Sequence, residues 1–216
     1  RKLPGGHRLT WENGQTVVTR WWDLAFSPES PARSDAEYAE ELREQLRAAV
    51  RRRLLSDVPL GAFLSGGIDS SSVVAMMAEA GAVNTFSIGF AEESFDESAH
   101  ARRVAEHFGT DHSEHVVTPA DMLDAIPAVA DVLDEPLGDA SILPTYLLSR
   151  FTREHVTVAL GGDGGDELLA GYPTFPADRA ASLYVVPRLL NERVVLPLAH
   201  LLPVSTDDFS LDFKLK

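Results

Sequence analysis

The sequence predicts an α/β protein, a doubly wound parallel sheet with helices on both faces. Three observations carry that expectation. From residue 35 onward apolar strand-like runs alternate with amphipathic helical stretches, the pattern of a parallel sheet covered by helices. The runs before the two glycine-rich turns, LGAFL and VTVAL, read as buried apolar strands. Two glycine-rich turns, at residues 65–71 and 161–167, each follow directly on such a run, where ligands bind in an open α/β sheet.

Taken in order, residues 1 to about 26 read as turn and short strand, with Glu12-Asn13-Gly14 as a hairpin turn between LTW and VVTRWW. The proline-flanked SPESPARS marks a linker at residues 27–34, and a domain from residue 35 to 216 follows. Ser34 with Glu37 forms a capping box, and Ala39, Leu42, Leu46, Ala49, Val50 and Leu54 recur at helical spacing through residue 55. The strand LGAFL, the helix SSSVVAMMAEA, the strand VNTFSIGF, the helix ESAHARRVAEHFG, the strand SEHVVT and a helix from Pro119 to about Leu133 come next. A helix around LPTYLLSRFTREH leads into the strand VTVAL. From Leu168 the pattern is helical and reaches FSLDFKLK with no stop signal, so the chain reads as breaking off.

The 216 residues suffice for one α/β domain plus a short remnant, and 44% hydrophobic with 24% charged residues is ordinary globular usage. No apolar run reaches the ~18 residues of a membrane helix, and the start lacks the apolar stretch of a signal peptide. A cytoplasmic protein with no membrane partner is expected. The 33 acidic and 19 basic residues give a net charge of −14, which repels a phosphate backbone and disfavours nucleic acid. Arg51, Arg52 and Arg53 are read as the solvated face of a helix. With no cysteine, disulfides, zinc thiolates and a cysteine nucleophile are excluded from these residues. His107, His112 and His115 straddle a helix end and a strand and are read as capping or packing groups rather than a zinc site. Trp21 and Trp22 are read as packing residues.

In PLGAFLSGGIDSSSVVAMMA, Gly66 and Gly67 permit a tight turn whose N–H groups approach an anion, and the helix that follows directs its positive end there. Ser65, Ser70 and Ser71 add hydroxyl donors. The P-loop pattern is ruled out, since it needs a lysine and none occurs between Lys2 and Lys214. The turn carries Asp69 instead, which tolerates phosphate when a divalent cation lies between them, so magnesium-bound ATP is the expected ligand. The second turn, Gly161-Gly162-Asp163-Gly164-Gly165-Asp166-Glu167, gathers three carboxylates whose mutual repulsion calls for a cation or a cationic substrate group.

SGGIDSS resembles the SGGxDS signature of the ATP-pyrophosphatase (PP-loop) superfamily, of adenine nucleotide alpha hydrolase-like fold, whose members cleave ATP between the α and β phosphates. GGDGGDELLAGY resembles the corresponding loop of asparagine synthetases and β-lactam synthetases. DEPLGDASILPTYLLSR and TFSIGFAEESFDESAHARRVAEHFGTDH extend the likeness to glutamine-hydrolysing asparagine synthetases over residues 35 to about 175. LPGGHRLTWENG looks like the last hairpin of their glutaminase domain, so the chain resembles the synthetase half of such an enzyme, cut short at both ends.

The resemblance implies amidation of aspartate through β-aspartyl-AMP, with release of AMP and pyrophosphate and with ammonia from a glutaminase domain outside these residues. Another carboxylic acid as substrate, or a catalytically silent nucleotide-binding module, are the alternatives, and the oligomeric state is left open with a homodimer as one option. Carried over by motif, Asp69 and Asp166 hold Mg2+, and Ser65, Gly66, Gly67, Ser70 and Ser71 cradle the pyrophosphate. Phe63, Ile88, Gly161 and Gly162 meet the rest of ATP. Asp163 stands where many members have glutamate and is tied to the acyl-adenylate step. Gly161 stands where serine is common, and Glu167 and Asp139 are placed near the amino-acid substrate. The family's catalytic lysine falls downstream of the matched region.

Overall fold

The computed structural model describes residues 2–25, 33–92 and 96–183, together with residues 193 and 197. Residues 27–32 of the expected linker 27–34 and the terminal FSLDFKLK lie outside the described residues, as do Glu93 to Phe95 of the quoted motif. The chain divides into two compact units, Arg1–Leu42 and Arg43–Lys216, so the division falls inside the first helix.

The first unit is the expected hairpin, β1 (His7–Glu12) paired antiparallel with β2 (Gln15–Arg20), Glu12 opposite Gln15. Asn13 and Gly14 both take positive φ, 49° and 76°, the conformation that matches a two-residue turn to the strand twist. The backbone N–H groups of Trp21 and Trp22 both donate to the Gly6 carbonyl, at 2.9 and 3.1 Å. Both tryptophan side chains are exposed. Helix α1 (Asp35–Arg53) starts where the capping box places it. The Ser34 N–H and hydroxyl each donate to Glu37 at 2.8 Å, and the Glu37 N–H donates back to Ser34 Oγ at 3.3 Å. At its far end Arg51, Arg52 and Arg53 are exposed, and Arg53 donates to the Ala49 carbonyl at 3.0 Å, satisfying a helix-end acceptor.

The second unit is the predicted α/β sheet. Strands β3 (Leu60–Phe63), β4 (Asn84–Phe90), β5 (Asp111–Val117) and β6 (Val158–Leu160) form a parallel sheet in the order β5-β4-β3-β6. Succession from β3 to β5 moves one way across the sheet, and β6 then returns to the far side of β3. The order therefore reverses between β3 and β6, which makes that seam the topological switch point.

Helices α2 (Ile68–Ala78) and α3 (Ser98–Phe108) pack with the end of α1 on one face, around Val50, Ala62, Leu64, Val74, Met77, Ala101 and Ala105. Helices α4 (Pro119–Val132) and α5 (Ile142–Arg153) cover the other face, where Ala125 and Leu147 meet Val117, Ile88 and Phe90. The period of two along β4 assigns its residues: Ile88 and Phe90 go to the α4/α5 side, while Thr85 and Ser87, both buried, point the other way. A Thr118–Asp121 capping box, unremarked in the sequence, starts α4.

Two elements depart from expectation. Strand β5 begins at Asp111, two residues early, because His112 is bonded into the β4 edge despite its polar character. The helical stretch expected from Leu168 begins at Gly165 as α6 (Gly165–Leu169), ends at Ala170 with φ 57°, and resumes as α7 (Thr174–Leu183). Asp166 and Glu167 thus stand on the first turn of a short helix rather than in a free loop.

Candidate active site

The glycine turn after β3 and the acidic turn after β6 meet over the switch point. Their closeness is set by missing side chains. A Cβ on Gly162 would stand 2.7 Å from the Ser70 backbone nitrogen and 2.9 Å from the Asp69 carbonyl carbon. One on Gly165 would stand 2.6 Å from Asp69 Oδ2. Only glycine at these two positions lets the second turn lie against the first helical turn of α2.

Within the first turn the serines are knitted together. The Ser65 and Ser70 hydroxyls lie 2.9 Å apart, the Gly67 N–H donates to Ser65 Oγ at 3.2 Å, and Ser70 Oγ donates to the Gly67 carbonyl at 3.3 Å. Gly66 holds φ 84°, a conformation that glycine adopts without strain. The Ser71 hydroxyl is buried with no hydrogen-bond partner among the described residues, a donor available at the base of the turn.

A cavity of about 480 Å³ opens above the seam. Of the residues singled out from sequence, Phe63, Ser65, Asp69, Ser70, Ile88, Gly161, Gly162, Asp163, Asp166 and Glu167 line it. Gly66, Gly67 and Ser71 belong to the same turn without lining the cavity, and Gly66 faces a separate cleft. Asp139 does not line it either: its carboxylate accepts from the Ser141 N–H at 2.9 Å before α5, and that hydrogen bond holds it below the usual carboxylate range.

The side-chain carboxylates of Asp69, Asp163 and Asp166 make no hydrogen bond or ion pair among the described residues. Among the described residues no three His, Asp or Glu side chains stand close enough together to hold a metal by themselves; Asp69 and Asp166, on the two opposing turns, are the carboxylates that could share a hard divalent cation with the oxygens of a bound ligand. Glu167 differs from them. It accepts a 2.7 Å hydrogen bond from the Tyr172 hydroxyl, which lowers the Glu167 carboxyl and raises the Tyr172 phenol to about 12. Gly161 lies beside Asp163: a Cβ there would stand 2.5 Å from Asp163 Oδ2, the mobile end of a side chain that can turn aside. The short side chain of Asp163 occupies the room that glycine leaves.

Sequence reasoning missed part of the wall. Ser87, Glu97, Ser98, Thr145 and Tyr172 also line the cavity. Ser87 sits mid-strand and its hydroxyl lies 3.2 Å from His112 Nε2, while His112 Nδ1 lies 2.9 Å from Thr85 Oγ1. Burial lowers the His112 pKa against the opposing pull of Glu114. Asp96 closes the β4–α3 connection: burial pushes its carboxyl up, and hydrogen bonds from Ser98 and the Phe90 N–H outweigh that and leave it low. The other two histidines pack singly, His115 stacked on Phe151 at 5.3 Å and His107 edge-on to Phe108 at 4.7 Å.

A parallel sheet wound in both directions, with a serine-glycine turn and an acidic turn facing one cavity at the reversal, defines a doubly wound α/β protein with its candidate ligand site at the topological switch point. The chain belongs to the asparagine synthase family, whose model matches residues 41–206. It is 33% identical over 170 residues to asparagine synthetase (glutamine-hydrolyzing) 1 of Bacillus subtilis, covering 78% of this chain and 27% of that protein. It is 38% identical over 176 residues to a Methanocaldococcus jannaschii protein carrying the provisional name asparagine synthetase (glutamine-hydrolyzing) 2, covering 80% of this chain and 34% of that one. The chain thus spans about a third of the length of these relatives or less. Among solved structures, the NH3-dependent NAD synthetase of Campylobacter jejuni is similar at a TM-score of 0.40 and 17% identity, over 62% of this chain and 60% of that one. No helix among the described residues is long and apolar enough to cross a membrane.

Proposed function

We propose that this chain carries the ATP site of an amide-forming ligase that activates a small carboxylic acid, aspartate in the first instance, as an acyl-adenylate. The observation that carries the reading is the contact of the two turns: Gly165 lies against the Asp69 carboxylate, so metal-binding groups from both sides of the switch point face one cavity. In this reading Asp69 and Asp166 hold Mg2+, which neutralises phosphate charge when bound. Ser65 and Ser70 receive the phosphates at the start of α2, and Phe63, Ile88 and Gly162 border the nucleoside.

The chemistry balances as follows. A carboxylate oxygen of the acid bonds to the α-phosphorus while the α–β bridging bond breaks and pyrophosphate leaves. Ammonia then attacks the acyl carbon, a proton departs, and AMP leaves with the oxygen. The chain's own share is electrostatic and positional: fixed N–H and O–H donors oriented before the charge develops. Asp163, held beside Gly161, faces the reacting end, and Glu167, fixed by Tyr172, borders the acid. In this reading the ammonia comes from glutamine hydrolysed outside these residues, a reading supported by the description of both relatives as glutamine-hydrolyzing.

Titration calorimetry of the complete protein with magnesium-ATP tests the site. Asp69→Asn should abolish binding and Asp166→Asn weaken it, with the fold retained by circular dichroism. Unchanged magnesium-dependent binding in Asp69→Asn would refute the assignment. Pyrophosphate release across a panel of carboxylic acids with ammonium then identifies the acid, and ATP binding without release for any of them would favour a silent module.

A further inference from the structure

The side of β4 that faces α2 and α3 carries hydroxyl groups. Thr85 and Ser87 are both buried, at 0% and 4% exposure, and His112 stands directly across from Thr85 in the β4–β5 ladder. Its ring bridges the two: Nδ1 lies 2.9 Å from Thr85 Oγ1 and Nε2 lies 3.2 Å from Ser87 Oγ. Thr85 Oγ1 also lies 2.8 Å from Thr110 Oγ1, so it is satisfied without the ring. The Ser87 hydroxyl has no partner besides His112 among the described residues, and Ser87 lines the large cavity next to Ile88.

A ring engaged at both nitrogens cannot turn. His112 has a pKa below its ordinary value, so at neutral pH it is uncharged and carries one ring proton. A hydrogen bond from the ring to the Thr85 main chain puts that proton on Nδ1, the nitrogen on the Thr85 side. Nε2 then accepts, the Ser87 O–H donates to it, and the lone pairs of Ser87 Oγ are left as acceptors at the cavity wall. The charged groups near the ring, Arg102 on α3 and Glu114 on β5, are paired with each other at 2.8 and 2.7 Å and leave this arrangement undisturbed.

We propose that Ser87 accepts a hydrogen bond from the nucleoside and that His112 is its positioning residue, holding the hydroxyl in the accepting orientation. This contact rests on the nucleotide reading above and adds to it a group on the opposite face of β4 from Ile88. The ligand chemistry it matches is a hydrogen-bond donor, and adenosine has two kinds, the amino group of the base and the ribose hydroxyls. A lone serine would rotate and present its proton as readily as its lone pairs. The ring removes that freedom before the ligand arrives.

The test is titration of the complete protein with magnesium-ATP and with the magnesium-bound triphosphates of purine riboside, 2′-deoxyadenosine and 3′-deoxyadenosine, which each lack one donor. In the parent protein the analogue without the matching donor should bind about fivefold more weakly than ATP, the worth of one neutral hydrogen bond, and Ser87→Ala should lose about the same for ATP and nothing further for that analogue. His112→Asn keeps a polar group at the Nδ1 position but cannot reach Ser87, so it should match the loss in Ser87→Ala. His112→Gln, whose amide oxygen reaches the Nε2 position, should recover part of it, and the losses of Ser87→Ala and His112→Asn should not add in the double variant. Additive losses, or a His112→Gln no better than His112→Asn, would overturn the positioning role. Three analogues that all bind the parent like ATP, or an unchanged ATP affinity in Ser87→Ala, would overturn the contact and leave the proposed function standing. A parent protein that does not bind magnesium-ATP would overturn both.

Discussion

Replacing Gly162 by alanine adds one methyl group where two turns meet backbone to backbone. The new Cβ would stand 2.7 Å from Ser70 N, 2.9 Å from Asp69 C and 3.0 Å from Asp69 Cβ, all inside van der Waals contact. Two of the three atoms are main chain and cannot rotate away, so the β6 turn must move off α2. Overpacking of this kind costs about 1–3 kcal/mol, which for a domain of this size lowers the melting temperature by roughly 3–10 °C. The displacement also separates Asp69 from Asp166, and misplacement of site groups by about 1 Å can cost on the order of a hundredfold. Gly138→Ala is the control, because no atom lies within 4 Å of its added methyl. Scanning calorimetry with magnesium-ATP titration of both variants decides the matter. If Gly162→Ala matches Gly138→Ala in melting temperature and ATP affinity, the close approach of the turns is not what shapes the site.

Two further predictions concern titrating groups. Tyrosine absorbance should show one phenol ionising near 12, that of Tyr172, and Glu167→Gln should return it toward the ordinary value; an unshifted tyrosine set in the parent protein would refute the Tyr172–Glu167 bond. His112 has a folded-state pKa below its ordinary 6.5, so the unfolded chain takes up the proton first. Stability is then complete above about 6.5 and falls as the pH drops from there through the lowered folded value. Urea midpoints measured from pH 7.5 to 5 should show a flatter slope in His112→Asn than in the parent, and equal slopes would contradict the lowered pKa of the half-buried His112.

Much of this architecture was legible locally. Ser34 and Glu37, or Asn13 and Gly14, carry their geometry within a few residues, and the structure repeats it bond for bond. The two glycine turns were legible because a run of glycines beside acids has no packing explanation after a buried strand. The start of α6 was hidden by the same composition, since Gly164 and Gly165 weaken any helical expectation although the latter is helical. Ser87 was missed for a different reason, because it looks like an ordinary residue of its strand. His112 was read only as a capping or packing group ahead of the strand, and its bond to Ser87 arises only when β4 pairs with β5 and brings them within 3.2 Å. Tyr172 likewise gains its role from the break at Ala170, which turns the chain back so that its hydroxyl reaches Glu167.

The pairing of β3 with β6 joins Leu60 to Val158 across about a hundred residues of chain. The hairpin, the helices and the β3–β4–β5 succession can form from neighbouring segments, but the seam closes only when this distant partner arrives, a slow class of contact. Strand β6 is three residues long and borders only β3 among the described strands. The cavity therefore comes into being only when this shortest of the described strands pairs with β3, and a ligand spanning both turns would act as a clasp on it.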